Sequence, residues 1–209
     1  MNLLIFDLDG TLVDSSVTLV NAINYVRSKM QLAPMEAKNI MHGITTPGIN
    51  MAHYFYGIKE IEPIYETLFK EYYSANHARE LRLYEGVEEM LQTLSQKGYL
   101  LALATNGYRD STLEALKHLN IERFFDEIVC FDDVKNGKPA PDMLLYLLNK
   151  RGVSTSEALF IGDSQRDKLA AKAADIEFLQ VDFGQNNKNV FTTPNELIKQ
   201  IEKRSKKNV

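Results

Sequence analysis

The chain has 209 residues, 44% of them hydrophobic, with 24 Lys and Arg against 28 Asp and Glu for a formal net charge of −4. At roughly 150 residues per domain that length suits one domain, or one domain carrying a sizeable insertion, and an acidic balance with scattered basic residues argues against nucleic acid or an anionic membrane as the main partner. The single cysteine, Cys130, excludes an internal disulfide framework and suits a reducing, cytoplasmic setting.

The first ten residues hold a short apolar run followed by acids, without the basic start or the length of an export signal. No window approaches the ~20 apolar residues of a bilayer-spanning helix, so no membrane role is expected. Apolar runs at Leu3 to Phe6, Leu100 to Ala104, Ile128 to Phe131, Leu159 to Ile161 and Phe178 to Val181 predict strands buried on both faces. Between them, Val87, Leu91 and Leu94, then Leu113, Leu116 and Leu119, then Leu144, Leu145, Leu147 and Leu148, then Leu169, Ala170 and Ala173 carry helical spacing. The alternation predicts an α/β fold: a doubly wound, Rossmann-like parallel sheet with ligands bound beyond the carboxyl ends of its strands.

Residues 15–83 break that rhythm. Leu19, Ile23 and Val26, then Ile64, Leu68 and Tyr72, have the helical period, and no strand is evident. The stretch predicts an inserted helical domain between a core made of residues 1–14 and 84–209, with Pro34, Pro47 and Pro63 punctuating its helices. The basic end, Lys203, Arg204, Lys206 and Lys207, reads as a frayed, solvated helix terminus.

Chemistry gathers at the strand ends. Asp7-Leu8-Asp9-Gly10-Thr11 closes the first strand, and carboxylates two residues apart on an extended chain point to one side. Two crowded carboxylates repel, a cost met by a divalent cation or by holding one of them protonated; Mg²⁺ suits such oxygen ligands. Thr105-Asn106-Gly107 after the second strand offers donors for a phosphate oxygen. Lys138, between Gly137 and Pro139, offers an ammonium for a carboxylate and a phosphate together. Gly162-Asp163-Ser164-Gln165-Arg166-Asp167 places two acids four apart at a strand-to-helix junction. Each motif alone is commonplace; their conjunction on one edge of a sheet is not.

With Asp-Leu-Asp-Gly-Thr-Leu-Val-Asp, Thr-Asn, Lys-Pro and Gly-Asp-x-x-x-Asp in this order, the chain resembles the haloacid dehalogenase-superfamily hydrolases. The separations from Asp7 to Thr105, Lys138 and Asp163 are 98, 33 and 25 residues in turn. The long first gap holds the helical insertion, which resembles the small cap of the phosphoglycolate phosphatase-like branch; the second leaves no room for a larger cap.

The resemblance implies a Mg²⁺-dependent phosphatase of a small-molecule phosphomonoester. Asp7 would be the nucleophile that forms an aspartyl-phosphate, and Asp9 the acid and then base. The Asp7 carboxylate, the Asp9 backbone carbonyl and Asp163 would hold Mg²⁺; Thr105, Asn106 and Lys138 would bind the phosphoryl group; Asp167 would orient Lys138 or the metal's water shell. An acid at Asp9 speaks for an oxygen leaving group and against dehalogenation. A sugar phosphomutase of the same superfamily, or a non-catalytic phosphate-ligand-binding regulatory protein, remains a rival reading.

Substrate choice is expected from the cap, where Met41 to Gly48 reads as a turn between helices and His42, Thr45 and Thr46 offer donors for a carboxylate or a sugar hydroxyl. Gly107 stands where many phosphoglycolate phosphatases carry Lys, which weakens phosphoglycolate specifically; the Thr-Asn-Gly version resembles several nucleotidases and broad-range phosphatases of the same superfamily, which keeps a nucleoside monophosphate open. Tyr54, Phe55 and Tyr56 suit core packing better than base stacking. His53, His77 and His118 have no paired ligand spacing, and Cys130 reads as a small core residue. The partner is a small phosphate substrate, and the chain is expected to be a monomer or weak homodimer.

Overall fold

The protein is described by a computed structural model covering residues 2–184 and 190–205. In chain order the elements are β1 (Leu3–Phe6), β2 (Val13–Asp14), α1 (Ser16–Lys29), α2 (Ala37–Thr45), α3 (Met51–Tyr56), α4 (Pro63–Glu80), β3 (Arg82–Leu83), α5 (Val87–Gln96), β4 (Leu100–Ala104), α6 (Arg109–His118) and β5 (Glu127–Val129), followed by α7 (Asp142–Arg151), β6 (Ala158–Gly162), α8 (Gln165–Ala173), β7 (Glu177–Gln180) and α9 (Pro194–Ser205). They form two compact units, Met1–Asp14 with Arg82–Val209, and Ser15–Leu81.

The first unit is built on a five-stranded sheet in the order β5-β4-β1-β6-β7. All its pairings are parallel: Ile5 lies beside Ala102 on one side and Phe160 on the other. The four residues of β1 are fully buried, which only a strand covered on both faces allows. Leu3 and Ile5 pack with Met143, Leu144 and Leu147 of α7 and Ala170 and Ala171 of α8, whereas Leu4 and Phe6, alternating with them, point to the opposite face. The chain runs outward from β1 through β4 to β5, then returns to β6 on the other flank. That reversal makes the gap beyond β1 and β6 the topological switch point, where sheets of this type bind ligands.

Two strands stop short of the expectation, and β6 runs one residue further at each end. The third strand ends at Val129 rather than Phe131, because Cys130 N–H donates to Asp133 Oδ2 at 2.8 Å and Phe131 N–H to Gly107 O at 3.0 Å, turning the chain into a 3-10 turn at Phe131–Asp133. β7 runs from Glu177 to Gln180, and Val181 bridges to Phe191 instead. Cys130 itself is a buried free thiol.

The second unit contains α1 to α4, with α1 and α4 packed together. Ile23, Val26, Ile40, Phe55 and Tyr56 form its core. The Arg27 guanidinium ties the helices by donating to Ala33 O at 2.8 Å and to Phe55 O. Pro63 opens α4, where its missing N–H is no loss. Ile64, one of the residues with the helical period, is 55% exposed; the buried residues of α4 are Tyr73 and His77. His77 is satisfied, its Nδ1 2.9 Å from Ser74 O and its ring stacked on Tyr73.

The stretch 15–83 is not wholly without strand: Arg82 and Leu83 pair antiparallel with Asp14 and Val13. Among the described residues no helix is long and apolar enough to cross a membrane. At the basic end, Lys203 and Arg204 belong to α9, and Arg204 Nε lies 2.6 Å from Glu177 Oε1; Lys206 and Lys207 lie outside the described residues.

Candidate active site

Asp7 continues β1 by donating its N–H to Ile161 O at 2.9 Å, which brings its carboxylate to the switch point in a nearly closed environment. The next residues fold back sharply: Leu12 and Val13 N–H groups donate to Leu8 O, and Gly10 N–H to Val13 O. Gly10 takes φ +83°, and a Cβ there would stand 2.5 Å from Asp163 Oδ2, so only glycine lets this loop lie against that acid. The neighbouring Thr11 hydroxyl donates to Asp163 Oδ1 at 3.2 Å.

Lys138 reaches the same place from the loop after β5. Its Nζ lies 2.5 Å from Asp7 Oδ1 and 2.6 Å from Asp167 Oδ1, with almost no exposure to solvent. Burial alone would lower its proton affinity, but Asp167 and Asp7 outweigh that and raise it, so the ammonium form is fixed. Its peptide bond to Pro139 is cis.

Asp167 is fully buried at the start of α8, where it and Ser164 cap one another: Ser164 N–H donates to Asp167 Oδ2 at 3.0 Å and Asp167 N–H to Ser164 Oγ at 3.3 Å. A Cβ at Gly162 would stand 2.7 Å from the Asp167 side chain, so the β6-to-α8 turn closes tightly on it. Gln180 Nε2, at the end of β7, donates to Asp163 O at 3.0 Å.

Asp7, Asp163 and Asp167 each place one carboxylate oxygen within 4.8 Å of the others. The electrostatic consequence is plain in the proton affinities of Asp163 and Asp7. Burial pushes Asp163 up to about 7, with Asp167 adding to it and Lys138 opposing. Asp7 is likewise raised well above the usual carboxylate range by burial, which Lys138 only partly offsets, and by Asp167 and Asp163. Among the described residues one ammonium faces three carboxylates, so the cluster is short of positive charge. Closely spaced oxygen ligands short of positive charge fit a hard divalent cation.

The Thr105-Asn106-Gly107 loop follows β4. Thr105 N–H donates to Val129 O at 3.0 Å, and its hydroxyl accepts from Gly107 N–H at 3.0 Å. The Asn106 side chain bonds to the backbone of Lys138, joining this loop to the acid cluster. Asp9 is half-buried two residues beyond Asp7, its backbone bridging to Val13; its carboxylate is not one of the three clustered acids. Five of the residues singled out from the sequence, Asp7, Asn106, Lys138, Asp163 and Asp167, are thus linked by direct bonds or close approach.

His42, Thr45 and Thr46 belong to the helical unit. The segment Met41 to Thr45 is the last part of α2 rather than a turn, a correction to the sequence reading. Thr45 Oγ1 donates to Met41 O at 2.9 Å within the helix, and Thr46 Oγ1 lies 3.3 Å from His42 Nδ1. Gly43 is required by packing, since a Cβ there would stand 2.7 Å from the rings of Phe55 and Tyr54. Sequence reasoning gave no role to Thr11 or Gln180. The Ser164-x-x-Asp167 spacing of a capping box was a legible signal; nothing in the sequence pointed to Gln180.

The fold and the acid cluster define a Rossmann-like α/β protein with a charged site at its switch point. Residues 4–181 match the family described as haloacid dehalogenase-like hydrolase. Phosphoglycolate phosphatase of Agrobacterium fabrum is 34% identical over 189 residues, spanning 87% of this chain and 81% of that protein. Pyrophosphatase PpaX of Halalkalibacterium halodurans is 30% identical over 181 residues, spanning 85% and 81%. The crystal structure of "a predicted phosphoglycolate phosphatase" from Haemophilus somnus superimposes with a TM-score of 0.84 at 27% identity, covering 96% of this chain and 98% of that one. The chain belongs to the haloacid dehalogenase-like hydrolases, and the curated relatives it matches here are phosphatases.

Proposed function

We propose that the protein is a Mg²⁺-dependent phosphatase of a small phosphate ester, working through a phosphorylated Asp7. The observation that carries this reading is the Asp7–Lys138–Asp167 arrangement: a buried carboxylate at the switch point with one oxygen bonded to a fixed ammonium. Lys138 occupies Asp7 Oδ1, which leaves Oδ2 to attack phosphorus. The bond from Oδ2 to phosphorus forms as the bond to the ester oxygen breaks, and Asp9 gives that oxygen its proton. Asp9 then takes a proton from water as the water oxygen attacks phosphorus, releasing phosphate and freeing the Asp7 carboxylate. Thr105 and Lys138 serve the phosphoryl group, and Lys138 stays charged throughout.

Asp7, Asp163 and the Asp9 carbonyl would hold Mg²⁺, which when bound supplies positive charge to the transferring oxygens. Asp167 fixes Lys138. His42, Thr45 and Thr46 are assigned to substrate choice within the helical unit, which acts as the cap.

The test is phosphate release from a panel containing phosphoglycolate, pyrophosphate, sugar phosphates, nucleoside monophosphates and p-nitrophenyl phosphate, with Mg²⁺ or EDTA. Release that needs Mg²⁺ and vanishes in Asp7→Asn supports the reading. An isomerised sugar phosphate with little free phosphate would replace it with a mutase, and phosphate binding without turnover would replace it with a binding protein.

A further inference from the structure

Both polar atoms of the Asn106 side chain are turned to the backbone of one residue 32 positions away. Its Oδ1 accepts from Lys138 N–H at 2.8 Å, and its Nδ2 donates to Lys138 C=O at 2.9 Å. The carboxamide therefore does for Lys138 what a neighbouring strand does for a strand residue, satisfying both peptide groups at once. The grip has little slack: a Cβ at Gly137 would stand 2.8 Å from Asn106 Oδ1 and 2.6 Å from the Phe131 ring. A second tie holds the same two loops. Arg109 N–H donates to Asp132 Oδ1 at 2.9 Å, and Arg109 Nη2 lies 2.7 Å from Asp133 Oδ2.

Lys138 has reason to be held this firmly. Its ammonium meets two carboxylates on a four-carbon stem, and such a stem is only as well placed as the backbone that carries it. We propose that Asn106 is a positioning residue: its side chain clamps the Lys138 backbone from both sides and so sets where the ammonium stands, rather than touching the transferred phosphoryl group. The role of Lys138 in this proposal rests on the phosphatase reading; the clamp itself does not.

The test uses the full chain carrying Asn106→Ala, Lys138→Met, or both, with affinity for inorganic phosphate in Mg²⁺ and kcat/KM on the best panel substrate as readouts. With Lys138 present, Asn106→Ala should lower both by about tenfold or more, and in the Lys138→Met background by less than about twofold. Equal losses in the two backgrounds would mean that the carboxamide touches phosphate, and unchanged values beside Lys138 would mean that the clamp positions nothing; either overturns the proposal. Amide hydrogen exchange at Lys138, measured without ligand, should speed up in Asn106→Ala. Unchanged protection there overturns the clamp even if Lys138→Met fails to fold. A wild-type chain that neither binds nor releases phosphate would defeat the phosphatase reading and leave the exchange measurement to decide the clamp.

Discussion

Asp167 Oδ1 lies 2.6 Å from Lys138 Nζ, and both side chains are almost completely removed from solvent. Breaking a buried ion pair from one side costs about 3–5 kcal/mol, because the remaining charge is stranded. Asp167→Asn should fall at the low end, about 3 kcal/mol, since Asp7 still faces the ammonium. Urea denaturation measures this. A loss within about 0.5 kcal/mol would show that the pair contributes nothing to the fold.

Asp7→Asn separates chemistry from stability. Phosphate release should drop by at least about 10⁴-fold, as expected for loss of a nucleophile. The fold should be retained, because the substitution also removes a carboxylate whose charge burial opposes. Turnover and a melting curve on the same preparation decide it; substantial residual turnover would defeat the covalent route.

The proton affinity of Asp163 gives a pH dependence with a definite sign. Its value is about 7 in the folded chain against 3.8 for the free side chain, so the folded state binds the extra proton across that window. Stability without metal therefore falls as pH rises from about 4 to about 7. A cation competes with that proton, so Mg²⁺ should raise the melting temperature more at about pH 8 than at about pH 5.5. Melting curves with Mg²⁺ and with EDTA at both values test this, and an equal increment would show that Asp163 is not linked to the metal.

Gly10 is held at φ +83° with Asp163 against its Cα. Gly10→Ala should cost about 1–2 kcal/mol from the backbone alone. It should also weaken Mg²⁺ binding, because the Asp163 carboxylate must move. Denaturation and a Mg²⁺ titration followed by melting temperature read the two effects separately.

Cys130 should be inert in the native chain. Burial pushes its thiol up to about 11, so little thiolate forms at neutral pH. A thiol reagent should react slowly with folded protein and fully in denaturant; rapid native reaction would contradict the buried placement.

The sheet and most of the charged site were legible because a parallel strand buried on both faces reads as an unbroken apolar run, and its end is where the chain exposes polar groups. Asp7, Lys138 and Asp163 each sit just beyond a strand or in the loop that follows one, and Asp167 lies in the first turn of the helix after β6. What the sequence hid depends on contacts between distant backbone groups: the Asn106 clamp on Lys138, and Gln180 on the Asp163 carbonyl. The Arg82–Leu83 strand is too short to show a period. Ile64 fits a helical stripe but lies in the first turn of α4, beyond the unit's core. Met41 to Thr45 looked like a turn because Gly43 and Pro47 punctuate it, whereas Gly43 is there to admit two aromatic rings.

The central position of β1 has a consequence for assembly. Its neighbours β4 and β6 begin at Leu100 and Ala158, so during synthesis the first strand emerges long before either edge that seals it. α1 to α4, joined by nearer contacts, have no such wait. Asp7 meets Lys138 across 131 positions of chain. This buried pair therefore cannot form until Lys138 has been made, and a chain interrupted before β6 carries its apolar first strand with one flank unsealed.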